Sequence, residues 1–356
     1  MDGYSSWPNY KFGVELEMFL VFKHLNADIE NGRTIRGKLE RAADHIIQRY
    51  SEAIRGSDVI YHGMESLNWR HRLRHSVLWG TKNSWEVHND PSLYPFGIAQ
   101  CNGWPLEFAS PIFDYSVMMV PDYAVRGSRR ISPWLPSIIK LFHVLEDETI
   151  ILVDDERAAL QVSVSTNDHY GWDNLDQVKS LAKSILYFES AIRTFLPQPR
   201  RDNNYAKWNG SPTQMSSTTS YMNPRFQDTS GGVGSRIALV DACATLEDLV
   251  KLMNNGGPCW SWNFMDLKAD LTSNLIHGRV EFRSPPGVDN WRECAAWIHF
   301  TMEFVHAAVS TQTTIHRLVQ FEDDWDGLMK FLDSVYPLIS KDSKLKYRRE
   351  LGIPDH

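Results

Sequence analysis

The sequence predicts an α+β fold: an antiparallel sheet with helices against its apolar face and a concave polar face open to solvent. Three observations lead there. Segments 11–22, 103–111, 159–165 and 278–283 alternate apolar residues with polar or acidic ones, the period of a half-buried strand. Amphipathic stretches with helical spacing separate them. No internal repeat or low-complexity boundary interrupts the 356 residues, a length ample for a core.

The first strand, Lys11 to Phe22, turns Val14, Leu16, Met18 and Leu20 to one side and Gly13, Glu15, Glu17 and Phe19 to the other. Two anions on one strand face, roughly 7 Å apart at ~3.3 Å per residue, repel unless water, a cation or a basic partner intervenes. Thr34 to Ile54 is an amphipathic helix carrying Ile35, Leu39, Ala42, Ala43, Ile46, Ile47 and Tyr50 at helical spacing. The following segment, Gly56 to Asn83, holds a basic knot from Arg70 to His75 that reads as a solvated loop or surface helix.

Ser84 to Asp90 is a strand running into the turn Asp90-Pro91-Ser92. In the strand Gly103 to Pro111, Leu106 and Phe108 oppose Glu107 and Ala109. A helix from Pro133 to Glu146 precedes the most regular alternation, Ala159 to Ser165, where Leu160, Val162 and Val164 oppose Gln161, Ser163 and Ser165. Asn174 to Leu196 is a long helix, capped by Asp173 or Asn174 and closed by Pro197. The polar stretch from Asn203 to Gly234 reads as a lid or flexible loop.

Leu246 to Met253 is a short helix and Trp260 to Leu267 a strand. Gly278 to Arg283 sets Val280 and Phe282 against Glu281 and Arg283. Trp291 to Val309 is an aromatic-rich helix, and the charged helical remainder docks through Trp325, Leu328, Phe331, Leu332 and Val335.

A net charge of −7 with dispersed basic residues argues against nucleic acid as a partner, since phosphate neutralisation needs a concentrated basic face. Cys101, Cys243, Cys259 and Cys294 lie far apart, so neither a zinc ribbon nor a redox pair is supported. No apolar run reaches the ~18 residues of a membrane span, and the start lacks a basic flank followed by an apolar run, so a cytoplasmic protein without a membrane partner is expected.

If Glu15, Glu17, Glu107 and Glu281 line one face, their repulsion calls for cations, and oxygen-only ligands suit magnesium or manganese. Arg283, two residues from Glu281, can hold a phosphate or carboxylate by a bidentate contact. Together these point to phosphoryl transfer; a hydrolase using two of the carboxylates as acid and base fits the same residues. Among the thirteen histidines, His88 near Asp90 stands out; among the tryptophans, Trp104 and Trp208 are placed to flank a substrate.

The ordered set Phe12-Gly13-Val14-Glu15-Leu16-Glu17, Trp85-Glu86-Val87 leading to Asp90-Pro91-Ser92-Leu93, Leu106-Glu107-Phe108-Ala109-Ser110-Pro111, Phe188-Glu189 through Arg200-Arg201 to Asn203-Asn204-Tyr205-Ala206, and Val280-Glu281-Phe282-Arg283 resembles the amidoligase family common in fungi. That family looks like a distant relative of glutamine synthetase and glutamate-cysteine ligase. The resemblance spans about residues 10–311. It implies a curved antiparallel sheet of the carboxylate-amine ligase type over 10–311, with 203–234 as lid and 312–356 as a helical extension. It also implies magnesium-ATP, a small-molecule carboxylate phosphorylated to an acyl phosphate, and an amine that displaces phosphate to give an amide, a reaction of small-molecule biosynthesis.

Carried over, Glu15, Glu17, Glu107 and Glu281 would be metal ligands, Arg283 would contact the phosphoryl group or substrate, and Arg200 or Arg201 the nucleotide. Asp90 would position an amine or nucleotide group, or else only build its turn. Where the family carries His-Val-His, this chain has Gln161-Val162-Ser163, which offer a carbonyl and a hydroxyl at the cofactor side instead of two imidazoles; His169 lies a few residues on. The departure leaves a second reading open: a fold kept for small-molecule binding or an ATP-independent hydrolysis, cyclisation or isomerisation.

Overall fold

The protein is described from a computed structural model over residues 10–24, 34–55, 63–66, 83–93, 103–115, 134–153, 156–166, 171–201, 203–210, 226, 232–270, 275–310, 314–335 and 341–352. These residues form a mixed α+β protein in which sheet and helices divide between two compact units. One unit is drawn from residues 12–161, 286–297 and 347–356, the other from 1–11, 162–285 and 298–346. Chain order and contact order differ: the chain crosses between the units five times.

In the first unit, strand β1 (Lys11–Phe22) is the axis. Along one edge it pairs antiparallel with β4 (Trp104–Ala109), from Glu15 opposite Ala109 to Leu20 opposite Trp104. Along the other it takes β6 (Thr149–Leu152), with Phe19 opposite Leu152. Strand β3 (Trp85–His88) adds antiparallel to β4, and β2 (Met64–Ser66) adds to β3 in parallel, so the sheet is mixed rather than purely antiparallel. A short strand β5 (Phe113–Asp114) also pairs with β1.

The register puts Leu16, Phe108 and Val87 in one row on the apolar face. Helices α1 (Ile35–Ile54) and α2 (Trp134–Glu148) pack together beside these strands. Thr34 opens α1 by accepting the Gly37 N–H; of the expected stripe Leu39, Ala42, Ala43, Ile46 and Tyr50 are buried, and Ile47 is half-buried. Trp85 carries a polar handle into this core. Its indole N–H donates to Ser137 Oγ at 2.9 Å, and the Tyr50 hydroxyl meets the same oxygen at 3.4 Å.

In the second unit, the last residues of β7 (Ala159–Ser165) pair antiparallel with β12 (Val280–Phe282), which pairs with β9 (Trp262–Asn263). The strand expected over 260–267 is thus two residues long. Strands β8 (Gly171–Trp172), β10 (Lys268–Ala269) and β11 (Ile276–His277) form a separate small sheet. Trp262 stacks on Phe282 at 4.4 Å, and Phe300 and Phe304 of α7 (Trp291–Ser310) continue that apolar layer.

Helix α3 (Leu175–Phe195) is capped by Asn174, which accepts the Gln177 N–H, and buries Val178, Leu181, Ile185 and Phe188. It is followed by the short α4 (Gln198–Arg201), α5 (Gly232–Ala242) and α6 (Leu246–Met253), the last closed by a Thr245–Asp248 capping box. After α7 come α8 (Ile315–Leu318), α9 (Trp325–Asp333) and α10 (Lys341–Glu350). Helix α5 starts inside the stretch expected to be a lid. Most of that stretch, like the 70–75 knot, His169 and Cys101, lies outside the described residues.

Ser137→Ala should lower stability by about 1–3 kcal/mol, the cost of leaving the buried Trp85 N–H without its acceptor. Urea unfolding checks this, and an unchanged midpoint contradicts it.

Candidate functional site

The polar face of the first unit is built by strand parity. Glu15 and Glu17 on β1, Glu107 on β4, Glu86 and His88 on β3 and Glu65 on β2 all fall on the side opposite Leu16, Phe108 and Val87. Glu17 stands directly opposite Glu107, which stands directly opposite His88. Such cross-strand neighbours have Cβ atoms about 4.5–5.5 Å apart. The expectation of a face open to solvent needs correction at its centre, since Glu17 is only 6 % exposed and Glu107 8 %.

Burial drives the Glu107 carboxyl up to about 8, and the neighbouring charge of Glu15 adds to the rise; His88 opposes it. Gln161 Nε2 donates to Glu17 Oε1 at 2.6 Å, which fixes one carboxylate oxygen. His88 Nε2 meets Glu86 Oε2 at 3.1 Å. Asp90 accepts the Ser92 N–H at 2.8 Å, and its carbonyl accepts the Leu93 N–H: it builds a turn.

Glu281 and Arg283 belong to the second unit. There Ser163, Glu281 and Asn263 form one row across β7, β12 and β9. Glu281 is 3 % exposed and richly satisfied. Its Oε2 accepts from Arg283 Nη1 at 2.8 Å and Asn263 Nδ2 at 3.1 Å; its Oε1 faces Ser163 Oγ at 3.4 Å and Arg279 Nη2 at 3.8 Å. Burial pushes its pKa up, but the two guanidinium groups outweigh this and hold it at about 2. Arg279 is fixed in turn by Asp266, 2.8 Å from Nε. Gly278, at φ +102°, permits that approach, since a Cβ there would collide with the Asp266 carbonyl.

The arginines expected at a nucleotide serve the backbone here. Arg200 is buried and donates to the carbonyls of Ser284 and Arg283. Arg201 donates to the carbonyls of Leu196 and Thr194, satisfying the C-terminal end of α3. Trp208 Nε1 donates to the Arg201 carbonyl, and the indole is buried. Glu189 accepts the Gly210 N–H, and Arg236 donates to the Gly210 carbonyl, which fixes the chain beside α3.

Sequence reasoning missed Arg279, although Arg279, Glu281 and Arg283 alternate through the segment 278–283; in the structure the two arginines flank β12 directly. It also missed Glu65 and Glu86 as members of the acidic face. Among the described residues no group of three or more His, Cys, Asp or Glu is arranged to hold a metal ion. Magnesium needs fewer, since one or two carboxylates commonly hold it with waters and substrate phosphates. Glu17 and Glu107 fit that donor set. Glu281 does not, because two arginines already engage its oxygens.

No family model matches the chain, and no curated protein is detectably similar to it in sequence. No helix among the described residues is long and apolar enough to cross a membrane.

The raised Glu107 pKa has a definite sign. The folded state binds this proton more tightly than the unfolded chain, so its stabilisation is complete below about 4.5 and is lost as pH rises to about 8. Glu107→Gln should therefore gain in melting temperature over the parent as pH rises from 5 to 8. A difference independent of pH contradicts the assignment.

Proposed function

We propose that the protein is a carboxylate–amine ligase, dependent on magnesium and ATP, that joins a small-molecule acid to an amine. One observation carries the reading: Glu17 and Glu107, opposite each other on paired strands, are both more than nine-tenths buried. Burying two acids side by side costs several kcal/mol per ion and gives no packing advantage over apolar residues. A site that receives a hard cation explains the arrangement.

In this reading Glu17 and Glu107 hold the metal, with Glu15 beside them on β1. Gln161 keeps Glu17 in its rotamer. Bound nucleotide supplies the phosphoryl group that activates the acid. His88, in the row with Glu107, is placed to exchange a proton with it.

A second reading has its own support. Glu281 is neutralised by arginines and Gln161 replaces an imidazole, so the described residues offer fewer metal donors than the family pattern implies. In that case the acidic face serves small-molecule binding or an ATP-independent reaction.

Incubation with magnesium-ATP and a library of acids and amines should give ADP and phosphate only when both substrates are present. Glu107→Gln and Glu17→Gln should each weaken Mn²⁺ binding at least about tenfold. Nucleotide that fails to bind at millimolar concentration by calorimetry contradicts the ligase and favours the second reading.

A further inference from the structure

We infer that Glu86 and His88 form a carboxylate–imidazole dyad, in which Glu86 is a positioning residue that fixes the ring and His88 Nδ1 is the base that takes a proton from the amine substrate. The inference rests on the ligase reading for the proton's donor, the ammonium group of that amine. The geometry of the dyad stands without it.

Three observations carry it. First, β3 sets Glu86 and His88 two residues apart on one face, and His88 Nε2 lies 3.1 Å from Glu86 Oε2. A carboxylate only accepts, so this contact assigns the ring proton to Nε2 and leaves the lone pair on Nδ1. Among the described residues Nδ1 has no hydrogen-bond partner. Second, both side chains are sheltered yet reachable, His88 at 17 % and Glu86 at 13 % exposure. Water competes weakly for a contact so placed, and a small solute still meets the ring. Third, the ring's neighbours suit a cationic substrate. His88 stands opposite Glu107 on β4, which stands opposite Glu17, and Glu86 lies in the next row with Ala109 and Glu15. His88 is near enough to Glu107 to act on the ionisation of its carboxyl.

The proton transfer balances within the site. The ammonium N–H bond breaks as an Nδ1–H bond forms, the electron pair stays on the amine nitrogen, and the Glu86 carboxylate meets the imidazolium charge. The ring later releases the proton to water. The neutral amine is the nucleophile that a carboxyl activated by phosphorylation requires.

Nitrogen-15 labelling of histidine tests the dyad without any substrate. At alkaline pH the His88 ring should carry its proton on Nε2 and none on Nδ1. Glu86→Ala should lose the hydrogen-bonded Nε2–H resonance, with the other backbone amide resonances of β3 and β4 retained. Iodoacetamide should alkylate His88 at Nδ1 in the parent, and at Nε2 as well in Glu86→Ala. If Glu86→Ala does not fold, Glu86→Asp, whose carboxylate falls short of the ring, carries both readouts. In turnover with magnesium-ATP, an acid and an amine, His88→Gln should lower kcat at least about hundredfold with KM for the acid within about threefold. A proton on Nδ1, an Nε2–H resonance indifferent to Glu86→Ala, or no alkylation at Nδ1 in the parent overturns the dyad. Amide formed by His88→Gln at the parent's rate overturns the base and leaves the ligase standing. Should the parent form no amide, the ligase reading fails and the amine with it, while the resonance and the alkylation decide the dyad.

Discussion

The first unit is organised around the cost of placing Glu17 against Glu107. Two carboxylates on neighbouring strands, both nearly out of water, cannot both carry charge cheaply. The surroundings show how the cost is met. Gln161 donates to Glu17, burial favours the protonated form of Glu107, and His88 supplies the offsetting polar neighbour in the next strand. Nothing in the packing of β1 requires this, since its apolar face already buries Val14, Leu16, Met18 and Leu20.

The second unit handles the same problem in the opposite way. Glu281 is as buried as Glu17, yet it meets two guanidinium groups and an amide, and its proton is driven off rather than retained. The first unit thus favours a protonated carboxyl at Glu107, and the second an ionised carboxylate at Glu281. The first is suited to give up a proton, and the second holds two guanidinium groups beside it.

Most of the secondary structure was legible because it is local. The periodicities of 35–54, 175–195 and 246–253 fix those helices, with Thr34, Asn174 and Thr245 as caps, and the alternation of 159–165 fixes β7. What escaped was non-local. The parallel pairing of β2 with β3, the shortness of β9 and the interleaving of the two units depend on which segments meet, and no window of sequence carries that. The helix at Gly232–Ala242 escaped because its apolar residues do not concentrate on one side, with Ile237 and Val240 alone buried.

The candidate site was legible to the extent that parity could show it. Glu15, Glu17 and Glu107 were readable as facing away from the core, and their neighbours across the sheet were not, because register decides whether Glu107 meets Glu17 or an alanine. Arg279 was readable and overlooked. The helix-end role of Arg201 was visible only once its partners at Leu196 and Thr194 were known. The most direct measurement is infrared absorption of protonated carboxyl groups at neutral pH. The account predicts a band that is missing in Glu107→Gln and that disappears from the parent on addition of magnesium. A parent protein without that band, or with one indifferent to magnesium, would contradict it.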